Sequence, residues 1–418
     1  MTDLADGIYF GLAEEVYHAL PRLSVSGMQK LLVSPATFWA GSWLNPKKAG
    51  TLAASLAAST SSLAMAVLDA LKGLHPTMPD PDAEEAEAST KAQLLGKAYH
   101  TARLEPEELE VRFVRALDKG DMPKGSLFTG TEMGAELAAR ELKKTGSVAE
   151  QAARLAEAGF DRAKLWHLQL VDWEETRAGR TPIAAEYWEE IMADMELIRS
   201  TPEIAAILTG GAAEVSILWT DRNGIPMKAR LDYLRRDGWA DFKTFANPTG
   251  KHVEQCIADA FTFNRYHVQA AGYREAIEAI RTRAIEVQGE ATEAQRLLID
   301  DTVARVDEPE CWYVFQEKGG VPNLLAKRIR FHELPVGREE EIQALARTED
   351  HARRARELME RKSLWLGRAE REIRKAKRLF RAYSEIYAPG EPWRPFNPIG
   401  EITDMDFRTN WLDEEVGE

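Results

Sequence analysis

The sequence predicts a mixed α/β protein: a central sheet flanked by helices, with helical insertions and a long helical extension towards its C-terminal end. Three observations predict it. Residues 213–220 and 225–234 are runs of β-branched, aromatic and apolar side chains joined through Asn223-Gly224, a dipeptide suited to the left-handed positions of a tight hairpin. Asp237-Gly238 marks a second turn before Trp239–Thr244, so the three runs read as a small antiparallel meander. Residues 131–208, 252–282 and 337–388 carry apolar positions at helical rather than strand spacing.

At 418 residues the chain can bury a large core, as one big domain with insertions or as several smaller ones. The formal charge of −14 at pH 7 argues against a protein that coats nucleic acid through bulk charge, so any DNA contact must be a local basic channel. Cys256 and Cys311 are the only cysteines, too few for a four-cysteine zinc or iron–sulfur site or for a disulfide scaffold, which suits a reducing cytosol. The opening MTDLADGIYFGLAEE lacks a basic stretch followed by an apolar run, so no secretory signal is read and a cytoplasmic location is expected. Residues 51–72, rich in Ala, Ser and Leu, are the one membrane-like candidate, but they are weakly apolar and carry Asp69 and Lys72. They read as an Ala-rich helix or a loose surface insertion, with no membrane partner.

Taken in order, residues 17–40 look like two short helices, with Ser24 or Ser26 capping the first and Pro35 suited to the first turn of the second. Residues 44–90 are of low complexity, with little periodicity beyond Leu63–Leu74, and read as an insertion or a partly mobile stretch. Residues 91–104 form a better helix, in which Gly96 and His100 share a face; the glycine would let a neighbour approach the histidine. A lone histidine at such a place is more often structural than a ligand. From 131 to 208 the pattern is helical, broken near Gly146 and Gly179, with a short amphipathic helix between Gly146 and Gly159 and a last one starting near Pro202. Nothing in that stretch suggests chemistry.

After the meander, residues 252–282 read as helix with a break near Thr262, and Gln269 and Tyr273 face the same way on it. Residues 311–317 and 324–331 alternate as two strands around Gly319-Gly320 and can extend the same sheet. Residues 353–381 are strongly basic with Trp365 and Phe380 interleaved, which fits a surface for backbone phosphates and equally a solvated helix face. The aromatics of the tail, Trp393, Phe396, Phe407 and Trp411, are expected to pack back onto the body. The organisation expected is a core over residues 1–335, with insertions at about 44–90 and 131–200, and a basic helical extension over 336–418.

The chemistry concentrates in the meander. Alternation along a strand puts Asp241 and Lys243 on one face and Phe242 on the other. Any one of these charges alone would be an ordinary residue of a wet sheet face. A hard divalent cation takes oxygen ligands and keeps several waters, so converging carboxylates at a sheet end make a plausible cage. Asp232 and Asp241 are the strongest pair, with Glu214 on the adjacent strand as a third. A metal there would polarise a phosphoryl oxygen, acidify the attacking water and stabilise the leaving alkoxide. Lys243 fits the remaining task. Partly desolvated beside the metal, its pKa should fall, letting it help deprotonate water, or it stays charged and stabilises the pentacovalent state.

In this order, Gly96-x-x-x-His100, Glu214, Asp232, Asp241-x-Lys243 and Gln269-x-x-x-Tyr273 resemble the PD-(D/E)XK nuclease superfamily, whose core is restriction-endonuclease-like. Within it the chain looks most like the exodeoxyribonuclease VIII branch of phage-type recombination exonucleases, related to the RecB nuclease domain. LSVSGMQKLLVSPATFW is similar to that branch's N-terminal signature and LLGKAYHTARLEP to its histidine motif; AEVSILW, KARLDYL and WADFKT are similar to its three active-site strands. The resemblance covers most of residues 17–331. Asp-x-Lys alone is a weak signal, whereas the ordered set is specific.

The resemblance implies that His100, Glu214, Asp232 and Asp241 bind metal, Mg2+ or Mn2+, that Asp241, Asp232, Glu214 and Lys243 are catalytic, and that Gln269 and Tyr273 help hold DNA near the scissile phosphate. It therefore reverses the reading of His100 as structural. It implies a metal-dependent exonuclease that resects one strand of linear duplex DNA, 5′ to 3′, with a single-strand annealing recombinase as partner and a homo-oligomeric ring threading the DNA. Relatives that carry an iron–sulfur cluster do so on four cysteines, which this chain lacks. The chain departs from the pattern in residues 44–90 and in the enlarged spacing between His100 and Asp232. Two other readings are an endonuclease or a nuclease of branched or single-stranded DNA with the same site, and a non-catalytic DNA-binding scaffold. The intact set of carboxylates and lysine argues against the last.

Overall fold

The computed structural model describes residues 4–57, 59, 61–76, 91–305, 308–319, 321–333, 340, 344 and 347–395. In order the elements are β1 (Gly7–Tyr9), α1 (Glu14–Ala19), β2 (Leu23–Ser24), α2 (Val25–Val33), α3 (Pro35–Ala40), α4 (Pro46–Ala57), α5 (Ser62–Leu74), α6 (Lys91–Leu104), α7 (Leu109–Arg112) and β3 (Phe113–Arg115). Then come α8 (Gly130–Ala139), α9 (Val148–Glu157), α10 (Trp166–Thr176), β4 (Thr181–Ile183), α11 (Ala185–Arg199) and α12 (Pro202–Ile207). The meander follows as β5 (Ala212–Thr220), β6 (Pro226–Arg235) and β7 (Gly238–Phe245). The rest is α13 (Val253–Phe263), α14 (Tyr266–Arg281), α15 (Glu293–Ala304), β8 (Glu310–Glu317), β9 (Leu324–Ile329), α16 (Glu349–Glu360) and α17 (Leu364–Ile386).

The main sheet has seven strands in the order β1-β5-β6-β7-β8-β9, with β2 beside β6. It is mixed, because β7 pairs in parallel with β8 after the long crossover through α13, α14 and α15, while β5, β6 and β7 run antiparallel. The hairpin between β5 and β6 is locked by Asp221, whose Oδ1 accepts the N–H groups of Asn223 and Ile225 at 2.8 and 3.0 Å. Gly224 takes the left-handed conformation that the turn requires, at φ 77°. Ser24 caps α2 by accepting the N–H of Gly27 at 2.9 Å, and Ser34 with Pro35 opens α3.

Of the two readings of the Ala-rich stretch, helix or loose surface insertion, the helical one holds for residues 46–57 and 62–74. They form α4 and α5, and Leu56, Leu68 and Leu71 are buried in the main core. The buried face of α4 is mostly small, Ala49, Gly50, Ala53 and Ala54 beside Leu56, whereas α5 buries Val67, Leu68 and Leu71 beside Ala64 and Ala70. Residues 77–90, much of 334–346 and the tail aromatics Phe396, Phe407 and Trp411 lie outside the described residues. Trp393 does pack back, its ring 5.2 Å from Phe38 and 5.3 Å from Tyr383.

Helices α8, α9 and the start of α10 close a small core of their own from Met133, Leu137, Ala152, Leu155 and Leu165. At the other end α17 lies along α2 and α14 and buries Ile373, Ala376 and Tyr383. Its Lys377 reaches Asp221 of the hairpin at 2.9 Å and Glu275 of α14 at 2.6 Å. That arrangement leaves Arg371, Lys375 and Arg378 on its exposed side. Among the described residues no helix is long and apolar enough to cross a membrane.

Candidate active site

The three central strands carry their carboxylates in one row. Ala213 is in register with Tyr233, and Tyr233 with Ala240. One residue further on, Glu214, Asp232 and Asp241 therefore stand opposite one another across β5, β6 and β7, and cross-strand partners project from the same face. The ladders break at this row. Glu214 sits at φ 54°, in the left-handed region that a non-glycine residue rarely adopts in mid-strand. Such a conformation costs on the order of 1–3 kcal/mol and persists only where its surroundings enforce it. The β6–β7 ladder ends at Tyr233–Ala240, and Asp232 Oδ2 takes over by accepting the N–H of Phe242 at 2.9 Å. The strands part where the charges are.

His100 comes in from α6. Its Nδ1 is 3.5 Å from Glu214 Oε1, and a Cβ at Gly96, one turn earlier, would meet open space. His100, Glu214 and Asp232 each offer a ligand atom, all within 4.8 Å of one another. Two carboxylates and an imidazole at that separation are a donor set that fits a divalent cation. Asp241 stands beside this trio. Its carboxylate pairs with Lys243 and accepts from Gln269 Nε2 at 3.1 Å. Phe242, on the opposite face, packs with Leu104 and Val314.

The surroundings set the protonation states. Burial opposes ionisation of Glu214, but the hydrogen bond from His100 and the charge of Arg230 outweigh it and hold the carboxyl below its usual range. Burial, followed by the neighbouring Asp232 charge, pushes Asp241 up to about 7 against the pull of Lys243. His100 is lowered by burial and raised more by Glu214 and Asp232, so it ends above its ordinary value. For Lys243 two states stand open beside a metal, a lowered pKa or a retained charge. Burial does act downward on it, but Asp241 and Asp232 overcome that and its pKa is raised. The protein alone thus keeps Lys243 as an ammonium ion, and of the two roles left open the charged one fits this environment.

Gln269 and Tyr273 are one turn apart on α14, as their spacing requires, and they lie behind the carboxylates. Gln269 Nε2 donates to Asp241 and to the Tyr273 hydroxyl at 3.1 Å each, and that hydroxyl donates to the Arg230 carbonyl at 2.8 Å. Tyr273 is buried, so its hydroxyl faces inward. What the pair visibly does is hold Asp241 in place.

Sequence reasoning missed two contributors. Arg230 pairs with Glu214 and donates to the Leu12 carbonyl at 2.8 Å. It lies two residues before Asp232 on β6, so strand alternation alone could have put it on the same face. The Tyr266 ring lies 5.2 Å from Lys243 Nζ and stacks on Tyr313, whose hydroxyl donates to the Tyr266 carbonyl at 3.0 Å. No local pattern marks Tyr266, because the strand it covers is more than twenty residues upstream. Helix α6 is itself anchored on the far face of β7: Arg103 pairs with Asp194 of α11 at 2.7 Å and lies 4.3 Å over the Phe242 ring.

Residues 78–295 match the family described as a PDDEXK-like domain of unknown function, DUF3799. The matched span is more than half of the 418 residues and contains His100, the whole meander, Gln269 and Tyr273. No curated protein matches the chain.

Proposed function

The chain belongs to the PDDEXK-like family DUF3799, and from that premise we propose that it is a metal-dependent exonuclease of linear double-stranded DNA. The observation that carries this reading is the row Glu214–Asp232–Asp241, with His100 above it and Lys243 paired to Asp241. His100, Glu214 and Asp232 would hold the cation, with Asp241 as the further ligand that the superfamily resemblance implies. When bound, Mg2+ or Mn2+ supplies Lewis-acid stabilisation of the phosphoryl oxygen and a more acidic water.

The chain's own residues do the remaining work. Lys243, kept protonated by Asp241 and Asp232, places a positive charge where the phosphate gains negative charge on the way to its pentacovalent state. Gln269 and Tyr273 fix Asp241, and Arg230 with His100 fixes Glu214. Exposed Arg371, Lys375 and Arg378 of α17 give an otherwise acidic chain a basic stripe for the DNA backbone. The 5′ to 3′ direction, the role in strand resection for recombination, the single-strand annealing partner and the ring-shaped homo-oligomer rest on the resemblance to the exodeoxyribonuclease VIII branch.

The test is digestion of linear duplex DNA labelled at its 5′ or 3′ ends beside covalently closed circles, with and without Mg2+. Stepwise loss of 5′ label first, metal-dependent and confined to linear DNA, is expected. Comparable cleavage of closed circles would instead make the enzyme an endonuclease.

A further inference from the structure

Helix α17 lies outside the span that matches the family, yet one of its side chains reaches the segment that frames Lys243. Glu372 is an acid on a helix that is otherwise mostly basic, and its side chain is only 16% exposed. Its Oε2 accepts from Arg265 Nη1 at 3.0 Å and lies 3.2 Å from His267 Nε2, while its Oε1 accepts from Arg368 of the same helix at 3.1 Å. Burial acts upward on this carboxyl, and Arg368, His267 and Arg265 outweigh it and hold it below its usual range. Glu372 is thus a carboxylate built into the contact between α17 and α14.

Arg265 and His267 stand on either side of Tyr266 in the chain. They belong to the elbow between α13 and α14, where Arg265 takes the left-handed conformation at φ 54°. A residue other than glycine keeps that conformation only where its surroundings enforce it. Gln29 of α2 supplies one hold, donating through Nε2 to the carbonyls of Asn264 and Arg265 at 3.1 and 3.0 Å. Glu372 supplies the other, through the two side chains that bracket Tyr266. The Tyr266 ring stacks on Tyr313 and lies 5.2 Å from Lys243 Nζ. A lysine ammonium on its four-carbon stem has many orientations open to it, and an aromatic face beside it favours one of them. Movement at the elbow would carry that ring away from the lysine.

We propose that Glu372 is a positioning residue for Lys243: by clamping the elbow through Arg265 and His267 it keeps the Tyr266 ring beside the ammonium, so that α17 sets the geometry of cleavage as well as offering basic charge. This rests on the nuclease reading of the site given above.

The experiment uses the full chain with Glu372→Gln, Arg265→Gln, Tyr266→Leu and the double variant Glu372→Gln with Tyr266→Leu. Folding is followed by thermal melting, and initial rates of cleavage of linear duplex DNA with Mg2+ are measured over a range of DNA concentrations. Arg265→Gln removes the same ion pair while leaving α17 unchanged, so it carries the test should Glu372→Gln fail to fold. The two single substitutions change the net charge in opposite directions. If the pair only tuned the attraction of DNA, they would shift KM in opposite directions and leave kcat alone. A positioning role predicts instead that both lower kcat about tenfold, with KM changed less than about twofold. In the Tyr266→Leu background Glu372→Gln should cost little more, because the ring through which it acts is already gone. A folded Glu372→Gln or Arg265→Gln chain with wild-type kcat overturns the proposal. So do opposite shifts in KM at unchanged kcat, or a loss from Glu372→Gln that is undiminished without Tyr266. In each of these cases the wild type still cuts, and the nuclease reading stands. If the wild type cuts no DNA, the nuclease reading fails and the positioning role falls with it.

Discussion

Lys228 on β6 and Lys243 on β7 are two cations set into one sheet, and they are held in opposite ways. Lys228 is buried, and its ammonium donates to the carbonyls of Tyr17, His18 and Leu20 at 2.8, 3.1 and 2.8 Å. These are carbonyls at the end of α1, which lack partners within the helix, so the lysine serves as a cap that ties the N-terminal helix to the sheet. Three donors meet three acceptors, and nothing is left to offer a ligand. Lys243 keeps 18% of its side chain exposed and pairs with a carboxylate that burial and Asp232 have pushed up to about 7. A saturated lysine builds structure, whereas on the function proposed above a partly exposed one among crowded carboxylates meets the phosphate.

The comparison can be broken most sharply by deleting each charge. Lys243→Ala, like Asp241→Ala, should lower the DNA cleavage rate at least about a thousandfold, on the order of 4 kcal/mol of transition-state stabilisation, measured by single-turnover digestion. Lys228→Ala should act on stability instead. Leaving buried carbonyls without their charged donor is expected to cost about 3 kcal/mol in a denaturant titration, while the folded fraction cuts at close to the wild-type rate. Equal loss of rate in both variants would erase the distinction.

Two smaller effects sharpen the site itself. Glu214→Gln should weaken binding of Mn2+ by at least about tenfold, roughly 1.4 kcal/mol, in a calorimetric titration of the DNA-free protein. Unchanged affinity would remove Glu214 from the ligand set. Because Glu214 holds a left-handed conformation at φ 54°, Glu214→Gly should be more stable than Glu214→Ala by about 1 kcal/mol, reversing the usual order for a strand. Equal melting of these two variants would show that the backbone there carries no strain.

The parts of the molecule readable in the sequence are those governed by local rules. The meander, its Asn223-Gly224 turn, the break in helix near Thr262 and the pairing of Asp241 with Lys243 on one face follow from alternation, turn chemistry and helical spacing. The parts that were not readable join distant segments. Strand β1 is three residues long and gains its meaning only against β5, more than two hundred residues later. The parallel pairing of β7 and β8 depends on a crossover of three helices. Gln29 holds an elbow 235 residues away. The kink at Glu214 is a backbone conformation imposed by neighbours, which a glutamate does not announce. Helix α4 was not legible as core because it buries mainly alanine and glycine, whose apolar signal is weak. The row of carboxylates was visible as residue types in order, and its geometry came from strands that part at that level.

The most direct measurement of the central claim is the release of labelled nucleotides from linear duplex DNA by the wild type, Lys228→Ala and Lys243→Ala, each with and without divalent metal. The wild type and the folded Lys228→Ala chain should cut only when metal is present, and Lys243→Ala should be silent in both conditions. Cleavage without metal, or wild-type cleavage by Lys243→Ala, would contradict the assignment of this site.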